Sequence, residues 1–457
     1  MRPLRSRLSS PALLLLAAAL SLGAGCFGPV GPDKESVTDE VSAAAVPLSG
    51  APGELDTLVK AMADAELVLI GEASHGTEEF YRTRAALTQR LIAEHGFQGV
   101  VIEGDWPDAY RVDRAVRGAV EDGDPLGDFT RFPTWMWRNT AVRDFVAWLD
   151  AHNAGFADAG ARAGFYGMDL YSPRRSFDEV IAYLERVDPA AAQVARTRRA
   201  CFLEGELEEP ERYAQRMARR SAESCGDEVL AQVRELEKRE AADAAGSGEA
   251  REAWFNAVQN ARVVHGAERY FFSAVTSGGA SAWNTRDTHM AEMVKQLRAH
   301  LGPDGRPVKL VIWAHNSHVG DARATERARV AEVNLGQLLR QQHGEDRVFL
   351  PGFTTYQGTV MAAREWNGRG QARDVRPALE NSYEDAFHDT GIPSFLLMLL
   401  EDWRALPSLG EDRLHRAIGV VYLPETERES HYYHARLLEQ FDAVIHQDVT
   451  RAVEPLD

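Results

Sequence analysis

Leu67-Val68-Leu69-Ile70-Gly71-Glu72-Ala73-Ser74-His75-Gly76 is the stretch on which the fold turns. Four consecutive apolar residues, too few for a helix and closed by glycine, read as a strand buried on both faces, as in a parallel sheet covered by helices. Glu72 and His75 stand where that strand ends. The same arrangement recurs three times: Glu103 follows Gly99–Ile102, Asp169 follows Gly164–Met168, and His315 with His318 follows Lys309–Ala314. An open parallel sheet delivers the carboxyl ends of its strands to one edge, and ligands bind there. Acid–base side chains gathered at that edge predict an active site assembled by the fold.

Working outward, Thr77 is placed to cap a helix that Glu78 and Glu79 favour at its start and Gly96 stops. Phe80, Leu87 and Leu91 share one face of it, with Arg84 on the same face. Gly99–Ile102 then returns parallel, because the crossover is right-handed. Pro107–Gly118, Val142–His152 and Arg175–Val187 read as helices, Phe129–Trp137 as an aromatic connector, and Ala163–Met168 as the third strand. Between residues 189 and 305 the texture turns Ala-, Glu- and Arg-rich with helical periodicity at Glu211–Ser221, Glu228–Ala242, Ala250–Val275 and Thr285–His300. That segment predicts a helical insertion over the sheet edge, or else a solvated helical hairpin. Lys309–Ala314 resumes the sheet, and Arg347–Pro351, Gly419–Tyr422 and Ala443–His446 are further strand candidates. The expected architecture is α/β, a three-layer sandwich with a mostly parallel sheet and a large helical insertion. Its core falls in 53–188 and 306–457.

The first 26 residues carry the marks of export. Arg2, Arg5 and Arg7 precede an apolar run, Pro11–Leu22, too short for a permanent span. Gly23-Ala24-Gly25-Cys26 resembles a lipobox, with its aliphatic residue one place early at Leu22. A lipid on Cys26 or ordinary secretion both follow, and either places the protein in the cell envelope or beyond. Residues 27–52 are Pro-, Gly-, Ser- and Ala-rich and predict a flexible linker. Cys201 and Cys225 lack the spacing of a redox or zinc motif; they read as a disulfide across two helices or as two ordinary thiols. A formal charge of −18 disfavours a nucleic-acid partner, since phosphate backbones need clustered Lys and Arg.

At the strand ends, His75 has the residue type suited to taking a proton from water near neutral pH, and Glu72 can orient its ring. His315 and His318, three apart, look like more than core packing. Glu103 must face solvent or a polar pocket, and Arg84 reads equally as a snorkelling side chain or a carboxylate partner. Gly-Glu-Ala-Ser-His-Gly at 71–76, Ile-Glu-Gly-Asp-Trp at 102–106, Phe-Tyr-Gly-Met-Asp-Leu-Tyr-Ser at 165–172, Arg-Asp at 286–287 and His-Asn-Ser-His-Val-Gly-Asp at 315–321 together resemble the erythromycin esterase family over about Leu67 to His446. The resemblance implies hydrolysis of a macrolide lactone or related ester, without metal, cofactor or covalent intermediate. It implies His75 as general base, completed by Glu72, Arg84, Glu103, His315 and His318, with Asp169, Arg286, Tyr166 and Trp106 expected to bind a small-molecule substrate. The family also holds proteins associated with exopolysaccharide biosynthesis.

The residues leave other chemistries open. Arg84 or His318 could stabilise an oxyanion, and His315 or a protonated carboxylic acid could protonate the leaving alcohol. Glu72 and Glu103, if close, would push their pKa values apart. A serine hydrolase would need Ser74, since no Gly-x-Ser-x-Gly elbow is present. Three histidines and two carboxylates could hold a divalent ion, although Arg84 argues against one. A tethered binding protein without catalysis is the reading from another class.

Overall fold

The computed structural model describes residues 34–119, 123–219, 223–239, 248–303 and 305–456. It is an α/β fold. Five parallel strands lie in the order β4-β3-β5-β2-β6, namely Gly164–Asp169, Gly99–Asp105, Leu310–Trp313, Leu67–Ile70 and Val348–Phe349, where β1 is the edge strand Val46–Pro47. A second sheet has the order β1-β9-β12-β7-β8, with β7 at Pro351–Ala362, β8 at Gln371–Val375, β9 at Ser394–Met398 and β12 at Ala443–Thr450. Among its neighbouring strands, β7 and β12 pair in parallel and the other pairs are antiparallel. Strand β6 continues past Leu350 into β7, and the Gly71 N–H donates to the Pro351 carbonyl at 2.9 Å, so the two sheets meet beside the Glu72–His75 loop. Arg413–Arg416 (β10) and Tyr432–Ala435 (β11) form a small antiparallel hairpin.

Alternation along the strands builds the three layers. Leu67, Leu69, Val101, Tyr166, Met168, Leu310 and Ile312 share one core with the helices Pro173–Val187, Gly248–Thr276 and Gly279–Leu301. Val68, Ile70, Val100, Ile102, Val311 and Trp313 face the other side, against Glu78–His95, Trp106–Val116 and Thr140–Asn153. Each fully buried aliphatic side chain contributes about 1.5–3 kcal/mol, and every residue of β2 and β5 is buried. The helices of the 189–305 segment therefore belong to a core layer rather than forming a solvated hairpin. Cys201 and Cys225 are disulfide-bonded, their Cα atoms 5.8 Å apart.

Two expectations need correction, and one strand was not foreseen. Residues 34–47 of the expected flexible linker are folded: Lys34–Ala44 is a helix and Val46–Pro47 pairs with β9. Val37 and Val41, one turn apart, are fully buried, Lys34 Nζ meets Asp385 at 2.8 Å and Asp389 at 2.5 Å, and Glu40 accepts from Ser408. Two valines in a small-residue background make too thin a stripe to stand out as a period. Gly419–Tyr422 is not a strand but an extended strap that touches Ala363 through an isolated bridge at Val421. Strand β9 was hidden because its apolar run continues directly into the helix Leu399–Asp402. The export signal, the lipobox-like segment and Cys26 lie outside the described residues, as do residues 27–33.

Candidate active site

The turn after β2 is held by its own backbone. Asn316 N–H donates to the Glu72 carbonyl (2.8 Å), His75 N–H to the Ile418 carbonyl (3.0 Å), and Met361 and Val453 N–H both to the Gly76 carbonyl (3.0 and 2.9 Å). Gly76 has a φ of +70°, and a Cβ there would lie 2.4 Å from the Met361 carbonyl oxygen; a Cβ on Gly71 would lie 2.1 Å from Asn316 Oδ1. Only glycine fits such approaches.

His75 Nδ1 bonds Glu72 Oε1 at 2.7 Å, which leaves Nε2 to meet a substrate or water. Glu72 Oε2 lies 2.9 Å from Arg84 Nη2, and both residues are fully buried. The Arg84 guanidinium also lies 4.4 Å from the Tyr81 ring centroid and 5.2 Å from that of Trp313. Burial works against the His75 imidazolium, but the charge and hydrogen bond of Glu72, with Glu103 behind it, raise its pKa above the usual 6.5.

Across the site, the His75 and His315 rings are 4.9 Å apart. His315 Nδ1 accepts from the Ser317 N–H (3.2 Å) and sits 2.8 Å from its hydroxyl, so Nε2 carries the proton, 3.3 Å from the Ala73 carbonyl. Burial, and the neighbouring His75, drive its pKa well below 6.5, which keeps it neutral. His318 forms a second imidazole–carboxylate pair: Nδ1 lies 2.9 Å from Asp287 Oδ1, and Nε2 lies 2.9 Å from Arg286 Nη1. Its ring stacks on Trp283 at 4.5 Å.

Arg286 ties these groups together. It donates to Glu103 Oε1 (2.7 Å) and to both Asp169 oxygens (2.9 and 2.6 Å), with the Tyr171 ring 5.1 Å away. Glu103 also accepts the His315 N–H at 2.9 Å. Burial alone would raise the Glu103 and Asp169 carboxyls; their neighbours, Arg286 above all for Asp169 and His318 with Arg286 for Glu103, hold both below their usual range.

Glu72, His75, Arg84, Glu103, Asp169, Arg286, His315 and His318 are thus brought into one connected network from four strand ends and two helices. Tyr166 and Trp106 are not part of it. Tyr166 lies mid-strand, facing the helical core, where its hydroxyl meets Arg117. Trp106 turns into the same core, with Nε1 bonded to Asn256 at 2.8 Å. Arg84, enclosed behind Glu72, takes the carboxylate-partner arrangement of the two its position allowed. The lowered Glu103 carboxyl weighs against Glu103 as the protonated acid of the pair. Ser74 Oγ bonds the Thr77 hydroxyl at 2.5 Å. Among the described residues, no group of three or more His, Cys, Asp and Glu side chains has an arrangement that could hold a metal ion. Tyr171, part of the 165–172 motif, packs on Arg286, while Asp287 and Trp283 acquire contacts with His318 that the sequence does not foretell. Asp287 adjoins Arg286 in sequence, but consecutive helical residues point about 100° apart, so only its contact with His318 reveals its place.

The model of the erythromycin esterase family matches residues 92–450. Among solved structures, a Bacillus cereus protein superposes with a TM-score of 0.75 at 19% identity, covering 93% of this chain and 100% of its own. A succinoglycan biosynthesis protein gives 0.68 at 18%, covering 92% and 98%. A histidine-to-asparagine mutant of the erythromycin esterase EreC, in its open conformation, gives 0.60 at 17%, covering 87% and 94%. At such identities the structures speak for the fold alone.

Proposed function

We propose that this chain, which belongs to the erythromycin esterase family, is an exported hydrolase that opens a macrolide lactone or a related carboxylic ester with water activated by His75. The observation that carries this reading is the Glu72–His75 pair facing a neutral His315 across 4.9 Å, with a fixed guanidinium at Arg286 beside them. Ester hydrolysis needs those parts: a base for water, positive charge for the developing oxyanion, and a proton for the leaving alcohol.

His75 Nε2 takes a proton from water as the oxygen adds to the ester carbonyl. The imidazolium is held by its bond to Glu72, which Arg84 in turn fixes from behind. Arg286 supplies a cation that needs no reorganisation, since Glu103 and Asp169 already orient it. As the tetrahedral species collapses, His75 returns its proton to the departing alkoxide, giving acid and alcohol. No covalent intermediate or metal enters this route. A lipid on Cys26 would hold the enzyme at the envelope, and the Cys201–Cys225 disulfide supports an oxidising compartment.

Incubation with a panel of macrolides, simple esters and acylated saccharides, read by mass spectrometry, tests the activity. A gain of one water, lost in His75→Gln by roughly 10²- to 10⁴-fold, is the expected result. Ser74→Ala and dialysis against a chelator should leave turnover within a few-fold. Collapse in either of those two arms would sink the direct-water, metal-free route, and an inert panel would sink the hydrolase.

A further inference from the structure

The loop that carries His75 is gripped from outside the parallel sheet. Ala417–Tyr422 runs as a strap between this loop and the end of β7. Ile418 accepts the His75 N–H at 3.0 Å and donates its own N–H to the Ala73 carbonyl at 2.9 Å. That same Ala73 carbonyl lies 3.3 Å from His315 Nε2, so one peptide unit faces both imidazole-bearing loops. Downstream, Ala363 N–H donates to the Val420 carbonyl (2.9 Å) and Tyr422 N–H to the Ala363 carbonyl (3.0 Å). Upstream, the buried Arg416 guanidinium donates to the Tyr356 and Arg376 carbonyls at 2.8 and 2.9 Å. Ile418 itself is fully buried in a small core of Val360, Ala362, Val375 and Tyr422, separate from the main cores.

We propose that Ile418 is a positioning residue for His75: its side chain locks the strap into the Val360–Val375 core, and its two peptide bonds set the imidazole against Glu72. The inference rests on the reading of His75 as the base. Its physical basis is the steepness of catalysis with geometry, where a displacement of about 1 Å can cost roughly 100-fold. An apolar side chain that never meets substrate can therefore act through the backbone of one that does.

The test compares Ile418→Ala with Val375→Ala, which opens the same small core without touching the His75 loop. Histidine-labelled protein is titrated by NMR, with the His75 signal identified by its loss in His75→Gln. The charged and titratable groups facing that ring are Glu72, Arg84, Glu103 and His315. Wild type and Val375→Ala should titrate alike, above 6.5, while Ile418→Ala drifts back toward 6.5 as the Glu72 bond loosens. On any ester the wild type hydrolyses, Ile418→Ala should lower kcat by roughly 10-fold or more with KM unchanged, and Ile418→Val should restore it. Should Ile418→Ala fail to fold, Ile418→Leu, which keeps the volume and changes the branching, is read the same way. An unaltered His75 titration in folded Ile418 variants, or equal losses in Val375→Ala, would overturn the proposal. Failure of the wild type to hydrolyse any ester would instead refute the functional reading, with the NMR arm still deciding the positioning.

Discussion

Glu72 shows how a single side chain sets the chemistry of its neighbour. Its carboxylate is shared between a buried guanidinium and an imidazole, and the second of these bonds raises the His75 pKa. A base raised in this way is stronger but is free only at higher pH. Activity should therefore rise with pH through an apparent pKa above 6.5. Glu72→Gln keeps an acceptor for the ring but removes the charge, so the rising limb should move to lower pH while the plateau falls. Stability should fall as well, by about 3–5 kcal/mol, because Arg84 is left buried without its counter-charge. A pH–rate profile of the Gln variant that keeps the wild-type limb would show that Glu72 does not govern the base. The same linkage has a stability side. The contribution of the raised His75 is complete below the unfolded value near 6.5 and is lost as pH climbs through the folded value.

Among the elements, the Gly279–Leu301 helix matters most to the site, since it brings Arg286 to strand ends more than 100 residues earlier in the chain, at Glu103 and Asp169, and sets Trp283 and Asp287 against His318. It packs in the same layer as the Gly248–Thr276 helix, and the disulfide lies beside that layer. Cys225 shares a small core with Leu170, Tyr270 and Phe271, and Tyr270 bonds the Tyr171 hydroxyl at 3.1 Å. The bridge joins positions 24 apart in sequence, a loop whose closure is worth about 3 kcal/mol. Reduction should lower the melting temperature and weaken turnover together, because the loosened core supports Tyr171 and, through it, Arg286. Melting curves with and without reductant, beside the Cys201→Ser/Cys225→Ser double variant, test this. An unchanged melting temperature would mean that the bridge adds nothing to the packing.

At the scale of the molecule, both sheets share their cores. Leu67 and Leu310 of the parallel sheet lie in one cluster with Phe395, Leu397 and Val444 of the second, and Val68 and Ile70 lie in the other with Phe353, Leu396 and Ile445. The continuous run from β6 into β7 joins the two sheets covalently at the active-site edge. Sheets that share both hydrophobic cores cannot separate without exposing buried apolar surface, so they should unfold together. Far-ultraviolet circular dichroism and tryptophan fluorescence should then trace coincident denaturant transitions. Two separated midpoints would show that the sheets fold as independent units.

The alternation and short apolar runs of the sequence determined the parallel strands, their order of appearance, and the edge at which Glu72, His75, Glu103, Asp169, His315 and His318 would meet. Those features are local: a buried strand must be apolar, and its end must turn. What tertiary structure alone decided was direction and distance. Tyr166 and Trp106 occupy motif positions, yet strand alternation and helix packing turn them into the core. Asp287 joins His318 only because a distant helix crosses the sheet edge there. The Lys34–Ala44 helix and the Ile418 strap owe their places to partners far along the chain, through one pair of valines and a few backbone hydrogen bonds. Such contacts leave almost no period in a sequence, because their stability comes from the surface they meet rather than from the segment itself.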